Sequence, residues 1–205
     1  ALEAANRTSE YQLPESINQY GERALPTITV DPRGPFNFGG RTRAIGHDLR
    51  DSQIILAGGV SGGIMRSTTG GDSLTKVTPF DDLLSVTCFA QDPRAGKQDI
   101  WYCGSGEVEA NSANGSGARY HGHGIWKSIN NGQAWTALAS TRIALEMFDS
   151  DFDFITRLLV YPTNGDVYAA ANGTILKSQN EGETWSLVLG SSDHSIPKST
   201  DIVKQ

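Results

Sequence analysis

The sequence predicts an all-β fold built from repeated antiparallel hairpins, and three observations lead to that prediction. Glycine supplies 23 of the 205 residues, more than the roughly 7% of an average globular chain, and this excess favours many tight turns. Short apolar segments bounded by turn residues recur along the chain, and they have the length of strands. A unit of glycine, an apolar pair, a cation, a serine and a polar turn occurs three times, which indicates a repeated scaffold.

The three copies of this unit share four positions and end in an apolar anchor. They are Ser67/Thr69/Gly71/Leu74, Ser128/Asn130/Gly132/Trp135 and Ser178/Asn180/Gly182/Trp185. In the second copy a short strand over 125–128 precedes a turn of Asn and Gly residues, which tolerate positive φ. Serine and asparagine side chains can accept hydrogen bonds from the backbone of such a turn. Each copy is therefore predicted to close a β-hairpin.

The pattern S-x-[DN]-x-G-x-x-W resembles the Asp-box, or BNR repeat, of sialidases, xyloglucanase-type glycosidases, sortilin-like receptors and photosystem assembly factors. The second and third copies match it, with Asn130 and Asn180 where Asp is commoner, and the first copy is degenerate. The resemblance implies a β-propeller of four-stranded antiparallel blades, and secreted bacterial propellers are the most similar members. In that family the box is a structural hairpin between the third and fourth strands, away from the ligand face. We therefore interpret the boxes as structural.

Apolar segments before each box supply the first two strands of a blade. The predicted pairs are 42–48 with 54–58, 85–90 with 100–103, and 156–161 with 167–170. Propellers close with about four to eight blades, so three visible blades predict that residues 36–205 are part of a larger propeller. The remaining blades would come from the same chain or from a partner. A self-contained β domain of another type is the alternative.

Residues 1–35 differ in character from the rest of the chain. They are polar and contain four prolines without a clear hydrophobic period: Pro14, Pro26, Pro32 and Pro35. We expect an N-terminal arm that packs along the propeller or along a partner. A linker or a trimmed propeptide is the alternative.

The longest predicted insertion, residues 104–124, joins the second and third strands of blade two. In the propeller family that connection lies on the ligand face. The candidate ligand-binding residues are Glu107, Glu109, Arg119, Tyr120, His121 and His123. Together they offer hydrogen-bonding groups and an aromatic surface for a glycan or a polar protein partner. A solvated loop is the alternative, because the segment is rich in glycine and serine. His121 and His123 are two metal-ligand types without a clear third ligand, so any metal stays unknown.

Two further sets of residues suggest covalent or metal chemistry. Cys88 and Cys103 lie on neighbouring predicted strands in a register that would place them opposite each other, which predicts either a cross-strand disulfide or two buried thiols. Asp149, Asp151 and Asp153 alternate along a short acidic segment. Oxygen ligands of this kind suit calcium. The segment departs from the EF-hand pattern, and a solvated loop is the alternative; no other cofactor is predicted.

Composition restricts the partners and the location. The net charge of −6 gives no basic surface for nucleic acid. No apolar run approaches the roughly 20 residues of a membrane span, so no membrane insertion is predicted. Residues 1–10 lack the features of a signal peptide. From the family resemblance and the disulfide alternative, we expect a mature secreted, periplasmic or cell-surface protein.

Two functions remain from the sequence. The first is a non-catalytic propeller that acts as a scaffold or binds glycans or proteins. The second is a glycoside hydrolase of the sialidase or xyloglucanase type, with part of its active site outside this chain or using Glu107. Val60 argues against the second, because it lies two residues before Gly62-Gly63, where the resemblance to xyloglucanase-type enzymes places a catalytic Asp. The Arg-Ile-Pro motif of sialidases is also absent. The first function is therefore favoured, and no catalytic residue is assigned.

Overall fold

A computed structural model describes residues 41–78, 85–107, 120, 122–142 and 150–191, all of which belong to one compact unit. In these ranges the chain forms twelve strands and one 3-10 helix, Asp151–Asp153. The strands are β1 Thr42–His47, β2 Ile55–Gly59, β3 Gly63–Ser67, β4 Thr75–Lys76, β5 Val86–Gln91, β6 Trp101–Ser105, β7 Ile125–Ser128, β8 Thr136–Ala137, β9 Ile155–Val160, β10 Val167–Ala171, β11 Thr174–Ser178 and β12 Ser186–Gly190. The arm predicted over residues 1–35 lies outside the described residues.

The all-β prediction is confirmed. The strands form three four-stranded antiparallel sheets in chain order, β1 to β4, β5 to β8 and β9 to β12, which are called blades one, two and three. The six predicted first and second strands correspond to β1, β2, β5, β6, β9 and β10, with ends displaced by at most two residues. The fourth strands differ in length, because β4 and β8 have two residues each whereas β12 has five.

The blades pack face to face around two apolar cores. Successive side chains of a strand point to opposite faces of its sheet, so blade two contributes to both cores. The core between blades one and two contains Leu56, Ile64, Trp101, Cys103 and Trp126. The core between blades two and three contains Tyr102, Ile125, Leu158, Val167, Ala169 and Leu176. Strand β6 is consequently buried along its whole length.

Glycine on the second strand lets the next blade approach closely. A Cβ atom added to Gly58 would lie 2.2 Å from Cγ1 of Val86, and one added to Gly104 would lie 2.6 Å from Cγ2 of Ile155. The first strand of each following blade therefore packs directly on the preceding backbone. This repeated contact explains why glycine occupies equivalent places in β2 and β6.

The two cysteines are free thiols in the structure. The predicted register is displaced by one residue, because Gln91 pairs with Trp101 and Cys103 consequently pairs with Phe89. Cys88 lies opposite Gly104 and packs against the core between blades two and three, whereas Cys103 lies in the core between blades one and two. A one-residue displacement reverses the face on which a side chain lies. The two thiols therefore occupy opposite faces of blade two, and no cross-strand disulfide joins them.

Among the described residues, no helix has the length and apolar character needed to cross a membrane.

Candidate functional site

The three repeated turns have the same hydrogen-bond geometry, and we call them serine turns. The serine hydroxyl accepts the N–H of the glycine four residues later, at 2.9 Å for Ser67, 2.9 Å for Ser128 and 2.8 Å for Ser178. The second polar side chain accepts the N–H of the residue two positions after that glycine, at 3.0 Å for Thr69 and 2.9 Å for Asn130. The degenerate first copy therefore folds like the others. All three turns satisfy their own backbone, which gives them a structural role.

A residue with positive φ precedes the glycine in each serine turn, and in the second and third turns this residue contacts the preceding blade. Asn131 has a φ of 54° and Glu181 a φ of 57°. The Asn131 carbonyl accepts from Nε of Arg66 at 2.9 Å. The Glu181 carboxylate accepts from Nζ of Lys127 at 2.7 Å, and this bond lowers the pKa of Glu181 below its usual value. These contacts tie the serine turns into the packing between blades.

The opposite end of blade two carries the insertion, whose base is closed by backbone pairing. The N–H of Glu107 donates to the carbonyl of Tyr120 at 2.8 Å, and the reverse bond measures 3.1 Å. Gly106 has a φ of +91°, and a Cβ atom there would lie 1.9 Å from the carbonyl oxygen of Asp153. The base of the insertion is therefore held against the 3-10 helix that precedes blade three, where the N–H of Gly122 donates to the same carbonyl at 3.0 Å. Only glycine fits at position 106, because both the φ angle and the space require it.

Glu107, a predicted ligand-binding residue, is buried at the base of the insertion. Its side chain is 1% exposed and forms ion pairs with Arg41 and, at 3.5 Å, with Nε of Arg43. The two arginines are 35% and 44% exposed. We call Arg41, Arg43 and Glu107 the arginine–glutamate cluster. Glu107 thus joins blade two to the first strand of blade one, and its arginines are the members that reach the surface.

Two of the other predicted ligand-binding residues, Tyr120 and His123, also lie at the base of the insertion. Tyr120 is 40% exposed and pairs with Glu107 through its backbone. The backbone N–H of His123 donates to Oγ of Ser105 at 2.8 Å, close to the base of the insertion. Glu109, Arg119 and His121 lie outside the described residues. The arrangement offers two guanidinium groups and an aromatic ring to a ligand.

Arg41 and Arg43 were not predicted as site residues. Arg41 directly precedes β1 and Arg43 is its second residue. In the sequence they stand out only as part of a Gly-Gly-Arg-Thr-Arg segment. A useful signal would have been two cations spaced by one residue, which lie on the same face of a strand. Their partner, Glu107, is more than sixty residues later, so no local pattern connects them.

Val60 lies beside this cluster. Its N–H donates to the carbonyl of Arg41 at 3.0 Å, and its side chain is 6% exposed. Val60 lies in the turn between β2 and β3. The resemblance to xyloglucanase-type enzymes implies a carboxylate at this position. The side chain of Arg41, whose carbonyl accepts the N–H of Val60, pairs with the carboxylate of Glu107, which also pairs with Arg43.

In the acidic segment, the carboxylate of Asp153 accepts a backbone hydrogen bond. Asp153 forms a capping box with Ser150, the N-cap residue of the 3-10 helix: its Oδ2 accepts from the N–H of Ser150 at 2.8 Å, and its side chain is buried. Asp151 is half-buried, and Asp149 lies outside the described residues. In the described part of the chain, no three His, Cys, Asp or Glu residues cluster as metal ligands would. Calcium binding stays a prediction.

The comparisons with solved structures support the propeller fold. An ancestral GH74 enzyme superimposes with a TM-score of 0.57 and 22% identity, covering 73% of this chain and 18% of that one. YCF48 from Cyanidioschyzon merolae gives 0.52 and 11%, covering 77% and 40%. A structure of a nidogen/laminin complex gives 0.50 and 15%, covering 74% and 49%. The three sheets are therefore propeller blades.

The similarity is limited to the fold. No protein-family model matches the chain, and no curated protein matches it. The chain spans between 18% and 49% of the length of these three solved chains. They include an enzyme and a protein from a protein–protein complex, so the propeller alone does not determine the activity.

Proposed function

We propose that the chain is part of a non-catalytic Asp-box propeller, exported or at the cell surface, that binds a glycan or a protein partner. The three serine turns support the Asp-box assignment, because they repeat one hydrogen-bond geometry between the third and fourth strands. The observation that carries the functional proposal is the burial of Glu107 between two arginines. Val60, in the adjacent turn, supplies no second carboxylate.

Glycoside hydrolysis by the usual route requires two carboxyl groups that face the substrate, about 5–10 Å apart. Glu107 is buried, and its carboxylate is paired with Arg41 and Arg43. A carboxylate held in this way positions its arginines and does not transfer a proton to a sugar. The cluster is therefore suited to binding through the guanidinium groups of the arginines, which donate several hydrogen bonds in a fixed geometry.

The ligand surface of this proposal consists of Arg41, Arg43 and Tyr120, together with the insertion residues Glu109, Arg119, His121 and His123. Partly exposed guanidinium groups bind hydroxyl, carboxylate or carbonyl oxygens, and a tyrosine ring packs against a sugar face or an apolar side chain. Both a glycan and a polar protein surface offer these groups. The solved structures with this fold include a GH74 enzyme and a nidogen/laminin complex, which agrees with either kind of ligand.

The test compares binding with hydrolysis on one probe, a xyloglucan oligosaccharide. We expect calorimetry to detect binding and a reducing-end assay to detect no product. Tyr120→Ala should weaken binding about tenfold, because an anchoring aromatic residue contributes strongly to a binding surface. Tyr161→Ala is the matched control, since Tyr161 has almost the same exposure, 42% against 40%, but lies in the turn after β9.

The other outcomes distinguish the alternatives. A steady release of reducing ends would support the hydrolase and contradict the proposal. If the oligosaccharide does not bind at all, binding of this glycan is refuted and a protein ligand remains. Equal weakening by Tyr120→Ala and Tyr161→Ala would show that the insertion is not the binding surface.

A further inference from the structure

Each blade packs on the next through the same pair of faces. We call the face of a blade that contacts the following blade its leading face, and the face that contacts the preceding blade its trailing face. Ile64 of blade one and Ile125 of blade two lie on leading faces, and both are completely buried between blades. Trp126 of blade two and Leu176 of blade three lie on trailing faces and are also buried. The chain thus contains two interfaces between blades, and in both of them a leading face packs on a trailing face through apolar residues.

The leading face of blade three carries the same residue types in the same register. Ile175 is equivalent to Ile64 and Ile125, because each lies three residues before the serine of its turn. The residues beside them are Val77 and Leu138, which directly follow β4 and β8, and Leu189 of β12. Val77 and Leu138 pack against the two cores between blades, whereas Leu189 is 64% exposed and Ile175 is only half-buried. The third leading face is thus apolar and open at these positions.

A cation on the leading face contacts the serine turn of the following blade. Nε of Arg66 donates to the carbonyl of Asn131 at 2.9 Å, and Nζ of Lys127 lies 3.5 Å from the carbonyl of Glu181. Lys177 is the equivalent residue of blade three, and its Nζ lies 2.6 Å from Oδ2 of Asp166. Lys177 is 24% exposed, so it remains accessible to a further serine turn.

The trailing face of blade one has the complementary features. Ile45 pairs with Ala57, which pairs with Met65, and this row is equivalent to Phe89, Cys103 and Trp126 of blade two. Ile45 is 65% exposed. In the serine turn of blade one, the positive-φ position before the glycine is Gly70, with a φ of 65°. Its backbone carbonyl is the group that a leading-face cation contacts in the other two turns.

We propose that the leading face of blade three docks on the trailing face of blade one in a second copy of this chain. Contact between two different faces of identical subunits is heterologous, and it forms a ring when the rotation closes. Two copies of the three blades formed by the described residues make six, which is within the range of about four to eight in which propellers close. The proposal rests on the two interfaces inside the chain and does not depend on the proposed ligand.

The first test is the mass of the 205-residue chain in solution by light scattering. We expect a species of twice the 22.0 kDa chain mass at micromolar concentration. Ile45→Asp and Leu189→Asp should each raise the dissociation constant about tenfold or more, because each places a charge in an apolar contact. Ile129→Asp is the matched control: Ile129 is 72% exposed and lies in a serine turn on neither face, so this variant should remain dimeric.

A mixing experiment tests the head-to-tail geometry. In a dimer of Ile45→Asp chains, each of the two interfaces contains one substituted residue, and the same holds for Leu189→Asp. A mixed dimer has one interface that is unaltered and one that carries both changes. The equimolar mixture should therefore recover dimer that neither variant forms alone at the same concentration.

Three results would overturn the proposal. A 22.0 kDa monomer at all concentrations would show that a second copy does not occupy these faces. A dimer insensitive to Ile45→Asp and Leu189→Asp would place the interface elsewhere. If mixing recovers no dimer, the contact is not head to tail. Circular dichroism of each variant verifies that it is folded, so that loss of dimer is not loss of the blades.

Discussion

The two ends of the blades are stabilised in different ways. At one end, three serine turns use side chains two to four residues apart to satisfy their own backbone. At the other end, the base of the insertion is held by an ion-pair cluster whose members come from blades one and two. The first end is local and repeated, and the second is long-range and occurs once. Substitutions in the arginine–glutamate cluster should therefore lower the free energy of unfolding more than substitutions in one serine turn, because the cluster is not repeated in the other described blades.

The largest effect is expected from removing both arginines of the cluster. The double variant Arg41→Ala/Arg43→Ala leaves the Glu107 carboxylate buried without its cations, which costs about 3–5 kcal/mol for a buried ion pair. Urea denaturation measures the free energy of unfolding. Arg142→Ala, at an exposed residue, is the control and should change it by no more than about 0.5 kcal/mol.

The triple variant identifies the cause of that loss. Adding Glu107→Gln to the double variant removes the uncompensated charge and should restore part of the stability, since a neutral amide costs less to bury than a carboxylate. If the triple variant is as unstable as the double one, the arginines stabilise the blade by packing and not by neutralising Glu107.

The next effect is that of opening one serine turn. Ser128→Ala leaves the buried N–H of Gly132 without its acceptor at 2.9 Å, which should cost about 1–3 kcal/mol. Ser178→Ala should cost a similar amount, because its geometry is the same. The same unfolding measurement, with exposed Ser61→Ala as the control, compares them. Unequal costs for the two turns would show that neighbouring packing, and not the hydroxyl, determines their stability.

A smaller effect is expected from the contact between the third serine turn and blade two. The Glu181 pKa lies below its usual 4.5, first because Lys127 donates a hydrogen bond to the carboxylate and also because Lys97 is near. A lowered carboxyl pKa contributes stability that is present above 4.5 and is lost as the pH falls below that value. Unfolding midpoints at neutral pH and at about pH 3 should therefore differ less in Glu181→Gln than in the wild type.

Glu183→Gln is the control for that measurement, since Glu183 is exposed in the same turn. It should keep the pH dependence of the wild type. If Glu181→Gln also keeps it, the contact with Lys127 is screened by solvent, as many exposed ion pairs are, and other carboxylates cause the acid sensitivity.

The features that could be predicted from the sequence are those that depend on neighbours along the chain. The serine turns and the first two strands of each blade follow from turn residues and apolar spacing, and they lie where predicted. The role of Glu107 could not be predicted, because Arg41 and Arg43 reach it only when blade one packs on blade two. The cysteine register was predicted wrongly because the β5–β6 loop contains one residue more than expected, so that Cys88 pairs with Gly104 and not with Cys103. The two thiols consequently lie on opposite faces of blade two, and the turn residues alone do not determine the length of that loop.

The smallest effect concerns the degenerate turn and tests how much the asparagine itself contributes. Thr69 already accepts the N–H of Ser73 at 3.0 Å, as Asn130 accepts the N–H of Ala134 at 2.9 Å. Thr69→Asn and the reciprocal Asn130→Thr should therefore each change the free energy of unfolding by no more than about 0.5 kcal/mol. If Thr69→Asn stabilises the chain by more than about 1 kcal/mol and Asn130→Thr destabilises it equally, the amide makes a contribution that the hydroxyl cannot replace. If both changes are small, the serine and the glycine define the turn, and the variable second position explains how the first copy keeps its geometry despite its sequence.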